Sequence, residues 1–463
     1  MRNTTTRSAE VVFIAAVAVA LAVVLGAPFV LGPPADTAST QESFDLDTDL
    51  SHTQPSVPET GTATVNGTSF DSAQAAVDAA ATGQTVILEG TFEERVTVQT
   101  DEVTVRSSDA GAAIDGGDTG RVLTVDGEDV TVDGIWLRGS GASVGDEDAG
   151  VFVNGTAATL SELYISESAF GVWVNGVDNI TVEDSRIEGR EDVYPVVQRG
   201  NGIHLWRTAN TTLRNNEITD VRDGIYYSWA EGVVSENNTM WNTRYGVHYM
   251  YSNDNRLDGN LAVDNDVGYA LMVSERLTVT NNTAARNSGE SGHGILLKDI
   301  EDSTVRDNTL IENSNGLYLY NAQNNWLSQN LLLRNEVGAH STAGSSGQTV
   351  TANSFVHSDE PVVTTTQEVE DWNGTDRGNY WSSAGTVDLN HDGTSEVRHR
   401  PAGMVEHVVS ENPQAAVFAE SPAFDAVRLA ESSFPVLEAP GVVDHRPLVE
   451  PPPEDWREYA HSG

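Results

Sequence analysis

Short runs of alternating apolar and polar residues recur along this chain on a fixed period. Gly202, Gly224, Gly246 and Gly268 stand 22 residues apart, and Gly294, Gly316 and Gly338 resume that step after one insertion of four residues. Each glycine opens a stretch whose first and third following residues are mostly aliphatic or tyrosine, as in Gly202-Ile-His-Leu-Trp206, Gly224-Ile-Tyr-Tyr-Ser228 and Gly246-Val-His-Tyr-Met250. A period of two marks a strand, because successive side chains leave it on opposite faces. With no helical pattern between the strands, a 22-residue repeat predicts a solenoid in which each coil buries its inner face against its neighbours. The expected fold is all-β, a right-handed parallel β-helix of the pectin-lyase-like kind, with one strand legible per turn.

Asn216, Asn238, Asn260, Asn282, Asn308 and Asn330 keep the same period and the same insertion. They are expected at corners, in left-handed backbone, stacked as a ladder. Phe70 to Ala81 reads as a helix capped by Asp71 that covers the first coil, shielding its open edge. The step from Gly171 to Gly202 is 31 residues, and the excess belongs to a loop near Glu191–Gln198. Protruding loops are common binding places. The resulting division is residues 1–34 as signal peptide or membrane anchor, 35–61 as flexible linker, 62–355 as the β-helix, 356–400 as a C-terminal cap, and 401–463 as a tail with two short helices, 413–420 and 423–433.

Val11 to Leu31 is an almost unbroken apolar run preceded by Arg2 and Arg7, long enough for a spanning anchor or an export signal, and it places the remainder outside the cytoplasm. The chain has no cysteine, which excludes disulfides, thiolate metal sites and lipoprotein attachment. Its 25 basic and 69 acidic residues give a net charge of −44. Such a surface repels nucleic acid and suits a halophilic source, where salt screens the self-repulsion.

Alternation puts the second and fourth residues after each glycine on the outer face, where His204, His248, Met250 and Met272 lie. Neighbouring coils are about 4.8 Å apart and alternate residues about 6.6 Å, so His248, Met250 and Met272 can share one ligand shell. Imidazole and thioether ligands without thiolate select cuprous copper; the alternative is an aromatic and methionine surface that packs under a loop or a partner. His293 and His340 stand alone and are not assigned. Gly292-His-Gly294 resembles an element of polygalacturonase active sites, but no outward Asp pair falls on the adjacent coils to act as acid and base. Asp388, Asn390 and Asp392 alternate before Gly393 as calcium ligands do, with Glu396 nearby; an Asx-rich turn has the same pattern.

The segments Gly200-Asn-Gly-Ile-His-Leu-Trp206, Val221-Arg-Asp-Gly-Ile-Tyr226, Thr243-Arg-Tyr-Gly-Val-His-Tyr-Met250, Gly294-Ile-Leu-Leu-Lys-Asp-Ile300, Gly378-Asn-Tyr-Trp381, Glu411-Asn-Pro413, Phe434-Pro-Val-Leu437 and Asp444-His-Arg-Pro-Leu448 together resemble the NosD family. The resemblance implies an exported, non-enzymatic β-helical protein of nitrous oxide reductase maturation, relaying copper together with an ABC transporter of the NosF and NosY type. Its implied partners are that transporter, the reductase and a copper donor protein. By the same resemblance the C-terminal arm, with Phe434, Pro435, Leu437, Asp444, Arg446 and Pro447, would dock on the transporter. Rival readings are a polysaccharide lyase, epimerase or hydrolase on the same coil, and a surface-adhesion module.

Overall fold

The computed structural model describes residues 50–342, 344–402, 405, 421–424, 426–427 and 440–452. The chain winds as a parallel β-helix. Among the described residues, twelve strands stack into one sheet, the outer wall, from Val96–Val98 to Glu360–Thr364. Its register follows the glycine period: His204 lies opposite Tyr226, which lies opposite His248. Most coils also carry two three-residue strands, such as Val234–Glu236 and Thr239–Trp241 after Asp223–Ser228. The expectation of one strand per turn is thereby corrected to three. Strands of three residues are too short to show an alternation, and those of this coil bury only the central residue.

The inner face is the core. Ile225, Tyr227, Val247, Tyr249, Tyr269 and Leu271 are fully buried, and the rings of Tyr227 and Tyr249 lie 4.1 Å apart. Each contributes about 1.5–3 kcal/mol by leaving water. The repeating glycines are needed for close approach: a Cβ at Gly224 would lie 2.5 Å from the Gly246 carbonyl oxygen, and one at Gly246 2.7 Å from that of Gly268.

The asparagines form the expected ladder. Asn216 donates through its backbone N–H and its Nδ2 to Asn238 Oδ1 at 3.0 and 2.9 Å, and Asn238 repeats the pattern onto Asn260. The left-handed residue is the one before each ladder position, Asn215, Asn237 and Asn281 among them, so the backbone assignment shifts by one. A second ladder, Asn265, Asn287, Asn313 and Asn335, runs beside it.

The N-terminal helix is Ala73–Ala79, capped by Ser72 rather than Asp71: Ser72 Oγ accepts from Ala75 N–H, and Glu94 holds Ser72 Oγ and Ala73 N–H. Residues 50–60, expected to be part of a free linker, lie on the coil. Leu50 packs against an outer apolar cluster, the His52 ring is 5.0 Å from that of Tyr164, and Thr91 Oγ1 donates to Pro58 O. Coil pairing continues past residue 355, through Glu360–Thr364 and Tyr380–Trp381. Strands Val369–Asp371, His399–Ala402 and Gly441–Asp444 form a small sheet of their own beyond them. The N-terminal apolar run and the helix expected at 413–420 lie outside the described residues; of 423–433, Ala423, Phe424, Ala426 and Val427 are described and helical.

Candidate metal centre

The outer wall is a grid whose rows are coils. One column runs His204, Tyr226, His248, Ala270, Leu296, and the next Trp206, Ser228, Met250, Met272, Lys298. Met250 and Met272 are direct cross-strand neighbours, both half-buried, and His248 sits two residues before Met250 on the same face. The expected convergence of His248 with the two thioethers is compatible with this register.

The grid has a further column that the sequence pattern hid. The residue before each glycine also faces outward, bringing Asp223, Tyr245, Val267 and His293 into line. Asp223 is fully buried. Its carboxylate accepts two bonds from Arg244, from Nε at 2.8 Å and Nη2 at 2.7 Å, and lies 3.1 Å from His248 Nδ1. Burial pushes the Asp223 carboxyl up, but the hydrogen bonds from His248 and Arg244 outweigh it and hold the group below its ordinary value. An ionised carboxylate can only accept, so His248 carries its proton on Nδ1. In the neutral imidazole this makes Nε2 the lone-pair nitrogen, and that atom is buried without a hydrogen-bond partner. A carboxylate on the far nitrogen is the usual support of a metal-ligating imidazole.

His204 is different. Arg222 donates to Asn201 Oδ1 at 3.1 Å, which turns the Asn201 amide nitrogen toward His204 Nδ1 at 3.0 Å. Nδ1 accepts, so Nε2 holds the proton and offers no lone pair. The ring is stacked on Trp173 at 3.8 Å and edge-on to Tyr226 at 4.8 Å, and burial lowers its pKa to about 3. Tyr226 separates it from His248 by two coil spacings, about 10 Å. Of the expected set His204, His248, Met250 and Met272, His204 is therefore a packing residue set apart from the other three.

Among the described residues no group of three His, Asp or Glu side chains could hold a metal. The Asp388 loop closes on itself: Asp388 accepts from His391 and Gly393 N–H, Asn390 from Asp392 N–H, and Asp392 from Thr394 N–H and Oγ1. These oxygens accept within Asx turns.

In the tail, Phe434, Pro435 and Leu437 lie outside the described residues. Asp444 is fully buried and terminates the asparagine ladder: Asn379 N–H and Trp381 Nε1 donate to its Oδ2 at 2.7 and 2.8 Å, and a Cβ at Gly378 would collide with it at 1.9 Å. Its side chain therefore holds the tail to the coil and has no surface to present. Pro447 is buried as well, and the Arg446 side chain is exposed.

Residues 183–385, which contain the whole wall from Asp223 to Tyr320, match the family described as "Periplasmic copper-binding protein (NosD)". The chain is 33% identical over 365 residues to a Pseudomonas aeruginosa protein named "Probable ABC transporter binding protein NosD", covering 75% of this chain and 84% of that one. A Stutzerimonas stutzeri protein of the same name is 32% identical over 361 residues, covering 74% and 82%. The chain belongs to the NosD family. Among solved structures it is similar to PfbA, a surface adhesin of Streptococcus pneumoniae, at 16% identity and a TM-score of 0.49 over 60% of this chain and 85% of that one. Within this NosD chain, His248 with Met250 and Met272 is the constellation whose donor atoms suit a soft monovalent metal.

Proposed function

We propose that this chain is an extracytoplasmic, non-catalytic accessory protein that carries cuprous copper on its outer wall. Together with a membrane ABC transporter of the NosF and NosY type, it supports assembly of the copper-sulfur centre of nitrous oxide reductase, copper reaching it from a donor protein. The observation that carries the reading is the Asp223-held His248, whose unpartnered Nε2 shares a face with the paired Met250 and Met272. One imidazole and two thioethers favour Cu(I) over harder ions. A site on a half-exposed wall is suited to relay, since an enclosed, fully ligated ion would not leave. The family description and the relatives' names support the periplasmic copper and transporter parts of the reading. Asp223, the carboxylate beside His248, is already engaged by Arg244, so it is not free to act as an acid or base on a sugar. The tail beyond the coil end is the part assigned to the transporter.

Anaerobic titration of the purified chain against a chromophoric Cu(I) chelator tests this. The wild type is expected to withdraw stoichiometric copper, and the double variant Met250→Ala, Met272→Ala to withdraw none. Equal affinity and stoichiometry in the two proteins would reject the site.

A further inference from the structure

The coat of 69 acidic residues is interrupted over the wall. The six segments 201–206, 223–228, 245–250, 267–272, 293–298 and 315–320 contain one carboxylate between them, the buried Asp223, and the same strands add Glu275, Asp299 and Glu301 just beyond these segments. The only lysine of the whole chain, Lys298, is exposed there, directly opposite Met272. Exposed rings border the methionines. Trp229 and Tyr251 are 53% and 45% exposed and stacked on one another at 4.8 Å, and Tyr320 is 46% exposed beside Lys298.

The turn residue that follows each wall strand adds an independent observation. Five residues after each glycine from Gly202 to Gly316 it is left-handed, and on the later of these coils it is the expected type, Asp299 at φ 53° and Asn321 at φ 50°. Beside the methionines it is Trp229 at φ 55°, Tyr251 at φ 54° and Val273 at φ 49°, residues that adopt this backbone at a cost. The fold sets this backbone, and Asn or Asp would serve it with less strain than Trp229 and Tyr251, whose rings are exposed on one margin.

We infer that this strip, Trp229, Tyr251, Tyr320, Arg207 and Lys298, is the docking face for an acidic protein that exchanges copper with Met250 and Met272. The inference rests on the copper reading above. Two acid-coated proteins repel one another everywhere except through such a window, where Arg207 and Lys298 meet carboxylates and the rings are covered. Tryptophan, tyrosine and arginine are the residue types that dominate protein interfaces. The stacking of Trp229 on Tyr251 spends ring faces that a saccharide would need, which favours a protein over a glycan.

The test compares wild type with Trp229→Asn plus Tyr251→Asn, and separately with Lys298→Glu, in two transfers: from the copper-loaded chain to copper-free nitrous oxide reductase, and to a small soluble Cu(I) chelator. Transfer to the reductase is expected to slow by about tenfold or more while exchange with the chelator is unchanged. The asparagines suit the left-handed backbone, so the melting temperature is expected to hold. Unchanged protein-to-protein transfer, equal slowing to the chelator, or loss of polysaccharide binding in place of reductase transfer would overturn the docking face. Absence of copper binding by the wild type would sink the copper reading alone, and direct binding of the reductase to the same variants then decides the face.

Discussion

At the scale of single residues, the capacity of His248 to bind a metal depends on which of its nitrogens holds the proton. Asp223 decides it by accepting from Nδ1, and Arg244 keeps Asp223 ionised. Asp223→Asn places an amide that can donate to Nδ1 and move the proton to Nε2. Cuprous affinity in chelator competition is expected to fall about 10–100-fold, the usual cost of losing such a support; an unchanged affinity would remove His248 from the site. His293 carries a pH prediction. Burial lowers its pKa to about 4, with His340 adding repulsion. Between an ordinary pH of about 6.5 and that value, the unfolded chain holds a proton that the folded one lacks, so stability falls as pH falls through the window, by at most about 1.4 kcal/mol per pH unit. The ring is stacked on Tyr318 at 4.3 Å and its Nδ1 has no partner, so His293→Phe keeps the packing. Urea midpoints of the wild type should drop more steeply than those of His293→Phe between pH 6 and 4; parallel curves would contradict the assignment. His248, Met250 and Met272 were legible because they obey the alternation after glycine. Asp223 precedes its glycine yet meets Arg244 and His248 on the outer face, which strict alternation does not foresee.

At the scale of elements, the coil depends on repeated polar contacts as much as on its apolar interior. Asn282 Oδ1 accepts from both Asn260 N–H and Asn260 Nδ2 at 2.9 Å, and its own Nδ2 donates to Leu257 O and Asn308 Oδ1. Asn282→Ala leaves buried donors and acceptors unmet and should cost about 3 kcal/mol or more, read from urea unfolding; a loss below about 1 kcal/mol would mean that water replaces the ladder contacts. The first ladder was legible from its period. The second was equally present, since Asn265, Asn287, Asn313 and Asn335 share the same steps, but it stands three residues before the glycines, seven at Asn287 where the insertion falls, and is masked by that stronger signal. The three-residue strands were not legible, because pairing with neighbouring coils creates them. Ser72 displaced Asp71 as the helix cap because Glu94, 22 residues away, fixes the Ser72 hydroxyl.

At the scale of the whole molecule, stacking converts sequence distance into adjacency. Residues 22 apart become neighbours, and a chain of net charge −44 gains one wall that is aromatic, thioether-bearing and nearly free of acid. The solenoid was legible from periodicity and the family from the segments on the wall and tail. The closure of the far end was not, because Asp444 meets Asn379 and Trp381 across more than 60 residues with no periodic cue. The central claim is that this wall holds cuprous copper between His248 and the sulfur atoms of Met250 and Met272. Copper K-edge X-ray absorption of the anaerobically loaded chain tests it most directly: sulfur scattering in the wild type that disappears in Met250→Ala, Met272→Ala is the predicted result, and a shell of nitrogen and oxygen alone, or sulfur unchanged in the variant, would contradict it.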